Sequence, residues 1–318
     1  EKQNELLQAV VIGGGHFGKY HAEKYALHPG VNFLGVVDSN LPAAELLCAQ
    51  WGGRAYPSVE ALETPFHLAS ISTPAGTHFA LASEVLRRGA HVLVEKPIAT
   101  DLASADKLIQ IAREKDRILQ VNHQERYFLL EAGMPDSLAP VKRIHVQRLG
   151  PPPTKPPDCS VILDILIHDL DWILSFSQTP PSQVEIQEAR KGSSGFFETV
   201  RCRLGFEAFE VLLEGSRDHT ERQRFARLET ERGEVEIDFM ARTVFPSGGE
   251  QWYPSFKVEF PELYGEHPFA REDFVGKSVA HFIHNCRTGG SPLVDGEAGR
   301  QALETTLALE TACHSFVR

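Results

Sequence analysis

The feature that most constrains this chain is a glycine-rich turn between an apolar segment and a helical pattern near the N terminus. Residues 6–12 are mostly apolar and rich in valine and isoleucine, which is typical of a strand covered on both faces of a parallel sheet. Gly13, Gly15 and Gly18 follow with the G-x-G-x-x-G spacing, and a helix is predicted over residues 17–27. The first glycine permits a tight turn, the second admits a pyrophosphate close to the backbone, and the third lets the helix pack on the strand. We therefore predict that the free N–H groups at the start of this helix face a bound pyrophosphate.

A second apolar segment, residues 31–37, ends at Asp38, where a carboxylate can accept hydrogen bonds from an adenosine ribose. The same carboxylate repels a 2′-phosphate, so the sequence predicts NAD rather than NADP as the cofactor. Ser39 lies beside this acid. A glycine triplet alone is equally compatible with an ordinary structural turn. The order of strand, glycines, helix, strand and acid favours nucleotide binding.

Short apolar segments continue to alternate with helical patterns as far as residue 121. Strands are predicted over residues 67–72, 90–94 and 118–121, and helices over residues 43–51, 78–88 and 101–115. Such alternation is typical of a doubly wound parallel sheet. We therefore predict an α/β chain whose N-terminal domain, residues 1–122, has a Rossmann fold.

The loops that follow these strands carry polar residues at the edge where a doubly wound sheet binds its ligands. Thr73 and Pro74 follow one strand, and Glu95 and Lys96 follow another. A lysine is usually a solvated surface residue. Because Lys96 stands at the end of a strand between an acid and a proline, its position favours a role beside the cofactor.

Beyond residue 122 the pattern changes to short segments in which apolar and polar residues alternate. Strands are predicted over residues 141–149, 183–189, 196–204, 209–213, 222–228 and 234–239, followed by helices over residues 272–286 and 296–316. Alternation indicates an antiparallel sheet with one face exposed or covered by a partner. We predict a C-terminal α/β domain, residues 123–318, built on an open, mainly antiparallel sheet.

An apolar helix is predicted over residues 161–176, and its few polar residues are ordered along it. Asp164, His168 and Asp171 fall on one stripe, while Asp169 points elsewhere. A polar stripe on a buried helix must face a partner or a cavity, because unpaired buried polar groups are costly. One interpretation is structural, an Asp–His pair one turn apart or an acid that complements the helix dipole. The other is catalytic, since His168 can take a proton near neutral pH with Asp164 one turn away.

Composition argues against several other classes of protein. The 318 residues are 42% hydrophobic and 24% charged, which is enough for two domains with cores and does not indicate disorder. A net charge of −11 argues against binding to nucleic acid or acidic membranes, and no apolar segment approaches the length of a membrane span. The five cysteines are scattered without a C-x-x-C pair. We therefore expect reduced thiols in the cytoplasm, with neither a disulfide framework nor a metal site.

These segments resemble the Gfo/Idh/MocA oxidoreductases along essentially the whole chain. The resemblance rests on the glycine turn, on Ser72-Thr73-Pro74 followed by His78, on Glu95-Lys96-Pro97, and on Asp164-x-x-x-His168. It implies a Rossmann domain, a second domain whose open sheet is often used in oligomer contacts, here a homodimer or homotetramer, and reversible hydride transfer on a sugar or polyol. The cofactor-binding positions that it implies are Gly13, Gly15, His16, Phe17, Gly18, Asp38, Ser39, Thr73, Pro74, His78, Glu95 and Lys96.

Within this family the chain looks most like the bacterial UDP-N-acetylglucosamine 3-dehydrogenase branch, in residues 16–21, 122–127 and 161–171. Where that branch usually reads Glu-Arg-Phe-Asn-Pro, this chain has Glu125-Arg126-Tyr127-Phe128-Leu129. The substrate therefore stays open between a nucleotide sugar and a free sugar, inositol or other small carbonyl compound.

The resemblance also implies a mechanism for oxidising a ring hydroxyl. His168 accepts the hydroxyl proton, Lys96 hydrogen-bonds the oxygen, and Asp164 orients the imidazole or binds the substrate. Arg126 is a candidate for the phosphate or hydroxyl groups of the substrate, and a surface arginine is the alternative. The alternative from another class is a non-catalytic NAD(H)-sensing protein, which has no need of the three catalytic side chains.

Overall fold

The computed structural model describes residues 5–134, 138, 140–155, 157–177, 179–247, 261–265, 268–269 and 273–318. The helices are α1 (His16–Leu27), α2 (Leu41–Trp51), α3 (His78–Arg87), α4 (Leu102–Glu114), α5 (Glu125–Glu131), α6 (Ile167–Leu174), α7 (Pro261–Tyr264), α8 (Phe274–Thr288) and α9 (Gly296–Phe316). The strands are β1 (Leu7–Ile12), β2 (Val31–Val37), β3 (Arg54–Tyr56), β4 (Leu68–Ile71), β5 (His91–Glu95), β6 (Leu119–Asn122), β7 (Val141–Leu149), β8 (Gln183–Lys191), β9 (Phe197–Gly205), β10 (Glu210–Ser216), β11 (Gln223–Thr230), β12 (Gly233–Asp238) and β13 (Thr243–Ser247). Within these ranges no helix is both long enough and apolar enough to cross a membrane.

The chain forms two compact units. The first comprises Glu1–Tyr127 and Phe260–Arg300, and the second comprises Phe128–Glu259 and Gln301–Arg318. This division differs from the single boundary expected at residue 122, because the chain returns to the first unit before α7 and stays there through α8. Val279, Phe282 and Ile283 of α8 lie in one hydrophobic core with residues of β1 and β2. The predicted start of this helix at Glu272 lies outside the described residues.

In the described part of the first unit, six strands form one parallel sheet in the order β3-β2-β1-β4-β5-β6. Val10, Val11, Leu93 and Val94 have no exposed surface, as expected for strands covered on both faces. The strand order reverses between β1 and β4, and sheets of this kind bind ligands beyond the carboxyl ends of their strands at that point. The predicted doubly wound parallel sheet is confirmed.

The described part of the second unit contains a seven-stranded sheet in the order β13-β12-β11-β7-β10-β9-β8. Its neighbouring strands pair antiparallel, except for β7 and β10, which pair parallel with Val146 opposite Leu213. Ile144, Val146, Val211 and Leu213 are buried, so they form part of the core face. The prediction of a mainly antiparallel sheet is confirmed. Alternation could not reveal the parallel pair, because it indicates which face is buried and not which strands are neighbours.

The apolar helix predicted over residues 161–176 is divided into two parts. Ile162–Leu166 is a π-helical segment in which the Ile167 N–H donates to the Ile162 carbonyl, and α6 follows directly. The segment rests on the sheet at a glycine, because a Cβ at Gly215 of β10 would lie 2.6 Å from the Leu166 side chain. Single π turns inside helices are rare and occur frequently at functional sites. The π-helical segment therefore indicates that the polar residues of this helix are candidates for a functional site.

Candidate active site

The turn after β1 uses its three conspicuous glycines in two different ways. Gly13 has φ 101°, and a Cβ there would lie 2.7 Å from the Ser72 carbonyl oxygen. A Cβ at Gly18 would overlap the carbonyl oxygen of Gly13. At Gly15, by contrast, a Cβ would meet no atom within 4 Å. Gly13 and Gly18 therefore allow close packing, while Gly15 leaves open space beside the backbone for a ligand.

A cavity of about 590 Å³ opens at the carboxyl ends of β1, β2 and β4. The Asp38 carboxylate is fixed at its wall, since Oδ2 accepts a hydrogen bond from Gly14 N at 2.6 Å and Oδ1 accepts one from Asn40 N at 2.7 Å. The predicted cofactor residues in the wall are Gly13, Gly15, Asp38, Ser39, Thr73 and Pro74. The ionisable residues of the described wall are Asp38, Glu60 and Glu84, all of them acids. The cavity therefore presents negative charge.

The other predicted cofactor residues lie outside the described wall of this cavity: His16, Phe17, Gly18, His78, Glu95 and Lys96. His16 and Phe17 are exposed at the start of α1, and their rings meet edge to face with centroids 5.3 Å apart. They directly follow Gly15 in sequence. Both side chains are therefore accessible at the end of the helix that the glycine turn begins.

His78 is buried at the start of α3, where its ring lies between two loops. Nδ1 is 2.7 Å from the Pro97 carbonyl oxygen, and Nε2 is 2.8 Å from the Thr73 carbonyl oxygen. The ring thereby ties the loop after β4 to the loop after β5. Both loops carry predicted cofactor residues, while the part in cofactor binding predicted for His78 itself stays a prediction.

Glu95 and Lys96 end β5 in different environments. Glu95 is buried, and its Oε1 accepts hydrogen bonds from His21 Nε2 at 2.8 Å and from Asn122 Nδ2 at 2.6 Å. Burial opposes ionisation, but the hydrogen bonds and charge of His21, the amide of Asn122 and the charge of Lys96 hold the pKa of Glu95 below its usual value. Lys96 itself is partly exposed. The strand end therefore joins a buried carboxylate to an accessible ammonium group.

The second unit carries Asp164 in the π-helical segment and His168 in the first turn of α6. Both side chains are partly exposed, whereas Asp169 and Asp171 are buried. Asp169 accepts two hydrogen bonds from Arg148, at 2.5 and 2.8 Å, and so forms a buried ion pair. Asp164 and His168 are thus both partly accessible, whereas Asp171, which was predicted to lie on the same stripe, is buried.

Comparison with known proteins decides between the classes of protein that the site allows. A family model described as "Oxidoreductase family, NAD-binding Rossmann fold" (Gfo/Idh/MocA) matches residues 7–123. The UDP-N-acetylglucosamine 3-dehydrogenase of Acidithiobacillus ferrooxidans is 30% identical over 98% of this chain and 99% of its own length. The chain belongs to the Gfo/Idh/MocA oxidoreductase family. The family resemblance predicted from the motifs is confirmed, and the chain is a dehydrogenase that acts on CH–OH groups.

Similarity to known proteins extends over nearly the whole chain. A solved structure of the Acidithiobacillus ferrooxidans enzyme superposes with a TM-score of 0.85 at 28% identity, covering 98% of this chain and 99% of that one. The myo-inositol 2-dehydrogenase of Thermotoga maritima is 23% identical over 92% of each chain. The two-part α/β architecture is therefore that of the family.

The segment in which this family member departs from the Glu-Arg-Phe-Asn-Pro pattern is largely core. Tyr127, Phe128 and Leu129 are all buried, and the Tyr127 hydroxyl lies 3.1 Å from Nδ1 of His281. Arg126 is partly buried, with Nη2 3.5 Å from the Leu293 carbonyl oxygen. The departure therefore lies in buried side chains at residues 127–129, while the part in substrate binding predicted for Arg126 stays a prediction.

Three residues that hold predicted site side chains of this Gfo/Idh/MocA protein were missed by sequence reasoning. His21 and Asn122 reach Glu95 across 74 and 27 positions of chain, and Arg217 reaches Asp164 across 53. His21 had a weak signal, since it lies in a segment typical of the family branch. Arg217 had no such signal, because a single arginine after a strand belongs to no recognisable sequence pattern.

Proposed function

We propose that this protein is an NAD-dependent dehydrogenase of a nucleotide sugar, with the 3-hydroxyl of UDP-N-acetylglucosamine as the first candidate for oxidation. The observation that carries the proposal is the end-to-end similarity to the Acidithiobacillus ferrooxidans protein named for that activity. A free sugar or inositol is the second candidate, favoured by the similarity to the myo-inositol 2-dehydrogenase of Thermotoga maritima.

The residues of the first unit fit NAD. Gly15 offers open space to a pyrophosphate beside the start of α1, and Asp38 stands at the cavity wall where it can bind the adenosine ribose. When bound, NAD supplies the acceptor for the hydride that leaves the substrate carbon. We propose that His16, Phe17, Ser39, Thr73 and Pro74 complete the cofactor contacts together with Lys96, and that Gly18, His78 and Glu95 position the segments that carry them.

The side chains of the protein supply the proton transfer and the charge stabilisation. His168 takes the hydroxyl proton as general base, a contribution of about 10²- to 10⁴-fold to rate in such reactions. Lys96 donates a hydrogen bond to the substrate oxygen, and its positive charge stabilises the negative charge that develops there. Asp164 orients the imidazole or binds a neighbouring hydroxyl group. Arg126 is proposed to bind the phosphate or hydroxyl groups of the substrate.

A substrate panel tests this proposal. NAD is mixed with the protein and UDP-N-acetylglucosamine, free N-acetylglucosamine, glucose or myo-inositol, and the absorbance of reduced nicotinamide is followed. The proposal expects the highest kcat/KM with the nucleotide sugar. Highest kcat/KM with a free sugar or inositol would favour the second candidate, and tight NAD binding without reduction by any compound would favour an NAD(H) sensor.

The acidic cavity wall predicts that NAD binds more tightly than NADP. Asp38→Asn removes one negative charge. It should lower the ratio of the NADP dissociation constant to the NAD dissociation constant by about tenfold, or about 1.4 kcal/mol. Glu45→Gln on the exposed side of α2 changes net charge equally and is the matched control. Isothermal titration with both dinucleotides measures the ratio. An unchanged ratio in Asp38→Asn would show that Asp38 does not select the cofactor.

The glycine turn predicts opposite outcomes for two similar substitutions. Gly18→Ala should lower the free energy of unfolding by about 1–3 kcal/mol, because its methyl group overlaps the Gly13 carbonyl and the turn must shift. Gly15→Ala should leave stability near that of the parent protein but weaken NAD binding, because its methyl group enters the open space. Urea unfolding and NAD titration measure the two effects. A stable Gly18→Ala variant, or a Gly15→Ala variant with parental affinity, would contradict these assignments.

We also propose that the protein is a cytoplasmic homo-oligomer, either a dimer or a tetramer. The cytoplasmic assignment is supported by the five cysteines, all of which are free thiols. The oligomer is supported by the family resemblance, since the open sheet of the second domain is often used for subunit contacts. Light scattering on the purified protein measures its mass, and a monomer at micromolar concentration would contradict the proposal.

A further inference from the structure

We propose that Arg217 is a positioning residue that fixes the Asp164 carboxylate for the reaction, an inference that rests on the proposed function. Arg217 directly follows β10, and Asp164 lies in the π-helical segment of the same unit. Arg217 Nη1 is 3.2 Å from Asp164 Oδ2. Asp164, the acid proposed to act in catalysis, is therefore held by a cation at the end of β10.

The guanidinium group is held in three directions. Besides the contact with Asp164, Nε is 3.0 Å from Glu198 Oε2, and Nη2 donates to the Cys159 carbonyl oxygen at 2.6 Å. A planar guanidinium with its N–H groups engaged on three sides has little rotational freedom. The position of Asp164 Oδ2 is therefore set by a group that is itself fixed.

The same arginine holds both the side chain and the main chain of the catalytic helix. Cys159 immediately precedes Ser160, whose Oγ accepts a hydrogen bond from Leu163 N at 3.3 Å as an N-cap. By binding the Cys159 carbonyl and the Asp164 carboxylate, Arg217 joins the start of the helix to its first acid. This link joins the residue before the helix to the middle of the π-helical segment.

The backbone of Arg217 is fixed by the sheet. Arg217 N donates to the Glu198 carbonyl oxygen at 2.8 Å, and the preceding Ser216 pairs with Thr199 in the antiparallel register of β9 and β10. The hydroxyl groups of Ser216 and Thr199 lie 2.9 Å apart. The pairing of β9 with β10 therefore fixes the position of the Arg217 backbone.

The exposure of the three charged groups indicates which contact serves function. The side chains of Arg217 and Glu198 are 9% and 13% exposed, whereas that of Asp164 is 43% exposed. A buried cation requires a counter-ion, and Glu198 already provides one. A purely structural ion pair would not need the further contact between Arg217 and Asp164. The Asp164 carboxylate is accessible and lies four positions before His168. The buried ion pair of Arg217 and Glu198 therefore holds the Asp164 carboxylate in position.

A double-mutant cycle tests the inference with NAD and UDP-N-acetylglucosamine. Arg217→Gln should lower kcat by about 10- to 100-fold, as is usual when a group that orients a reacting residue is lost, with the NAD dissociation constant unchanged. In an Asp164→Asn background the same substitution should change kcat by less than about threefold, because Arg217 acts through that carboxylate. Multiplicative effects in the double variant would overturn the inference.

Two further variants keep the test decisive. Arg217→Lys retains the charge but cannot engage three acceptors, so it should recover part of the lost turnover, and it replaces Arg217→Gln in the cycle if that variant does not fold. Arg203→Gln is the control, because this exposed arginine of β9 pairs with Glu185 and should be dispensable for turnover. Parental turnover in Asp164→Asn would overturn the role of Asp164 and with it this inference. A slow Asp164→Asn enzyme with multiplicative effects would overturn the inference alone.

Discussion

His168→Ala lowers turnover of the sugar substrate by about 10²- to 10⁴-fold while NAD affinity stays at the parental value, if His168 is the general base. The imidazole contributes only when the hydroxyl proton is transferred, so its loss should reduce kcat and kcat/KM together. The residues proposed to hold NAD belong to the first unit, whereas His168 belongs to the second. Steady-state kinetics and NAD titration on the same preparation measure both quantities.

His219→Ala is the matched control for that experiment. His219 belongs to the same unit and lies in the turn after β10, where its Nδ1 is 3.0 Å from the Glu221 carbonyl oxygen. Its removal should leave turnover within about twofold, as expected for a residue with no proposed part in proton transfer. Near-normal turnover of His168→Ala would remove His168 from the mechanism.

Lys96→Met is expected to reduce kcat by about 10²- to 10³-fold, the usual loss when a donor to a developing oxyanion is removed. Methionine keeps the approximate length and apolar stem of lysine but lacks its charge and N–H donors. Lys96→Arg should recover little of the activity, because the wider guanidinium cannot place a single donor where the ammonium stood. Initial rates with saturating NAD measure both variants.

Lys107→Met, on the exposed side of α4, is the control for the loss of one positive charge. It should retain parental turnover, since a solvated lysine contributes little to a distant reaction centre. If Lys96→Met matched this control, charge stabilisation by Lys96 would be ruled out and the substrate oxygen would need another donor.

Most of the first unit could be predicted because its signals are local. The strand at residues 31–37 was predicted with the bounds of β2, and β1, β4, β5 and β6 were found to within one or two residues. Buried parallel strands need continuous apolar runs, and the helices between them begin and end at recognisable residues. β3 was missed because three residues at the edge of a sheet carry too little pattern.

The second unit was harder because its defining contacts are not local. β7 was predicted with its observed bounds, but β13 was missed, and the parallel pairing of β7 with β10 depends on which strands become neighbours. The π-helical segment has the composition of an ordinary helix, so its i to i+5 bonding could not be predicted. The return of the chain to the first unit before α7 had no local signal either.

The site shows the same division between local and distant information. Gly13, Gly15 and Asp38 could be predicted from the Rossmann spacing, and the structure places all three at one cavity. The groups that hold the predicted catalytic side chains could not. Arg217 reaches Asp164 from a distant strand. Spacing in sequence identifies candidates for chemistry, but only the fold identifies the residues that position them.

Isotope transfer from substrate to cofactor tests the central claim most directly. UDP-N-acetylglucosamine deuterated at C3 is incubated with the protein and NAD, and the reduced nicotinamide is analysed by mass spectrometry. The account predicts one deuterium in the nicotinamide ring and a slower rate than with unlabelled sugar. Reduced nicotinamide without deuterium would contradict it, since the hydride would then come from another position or another compound.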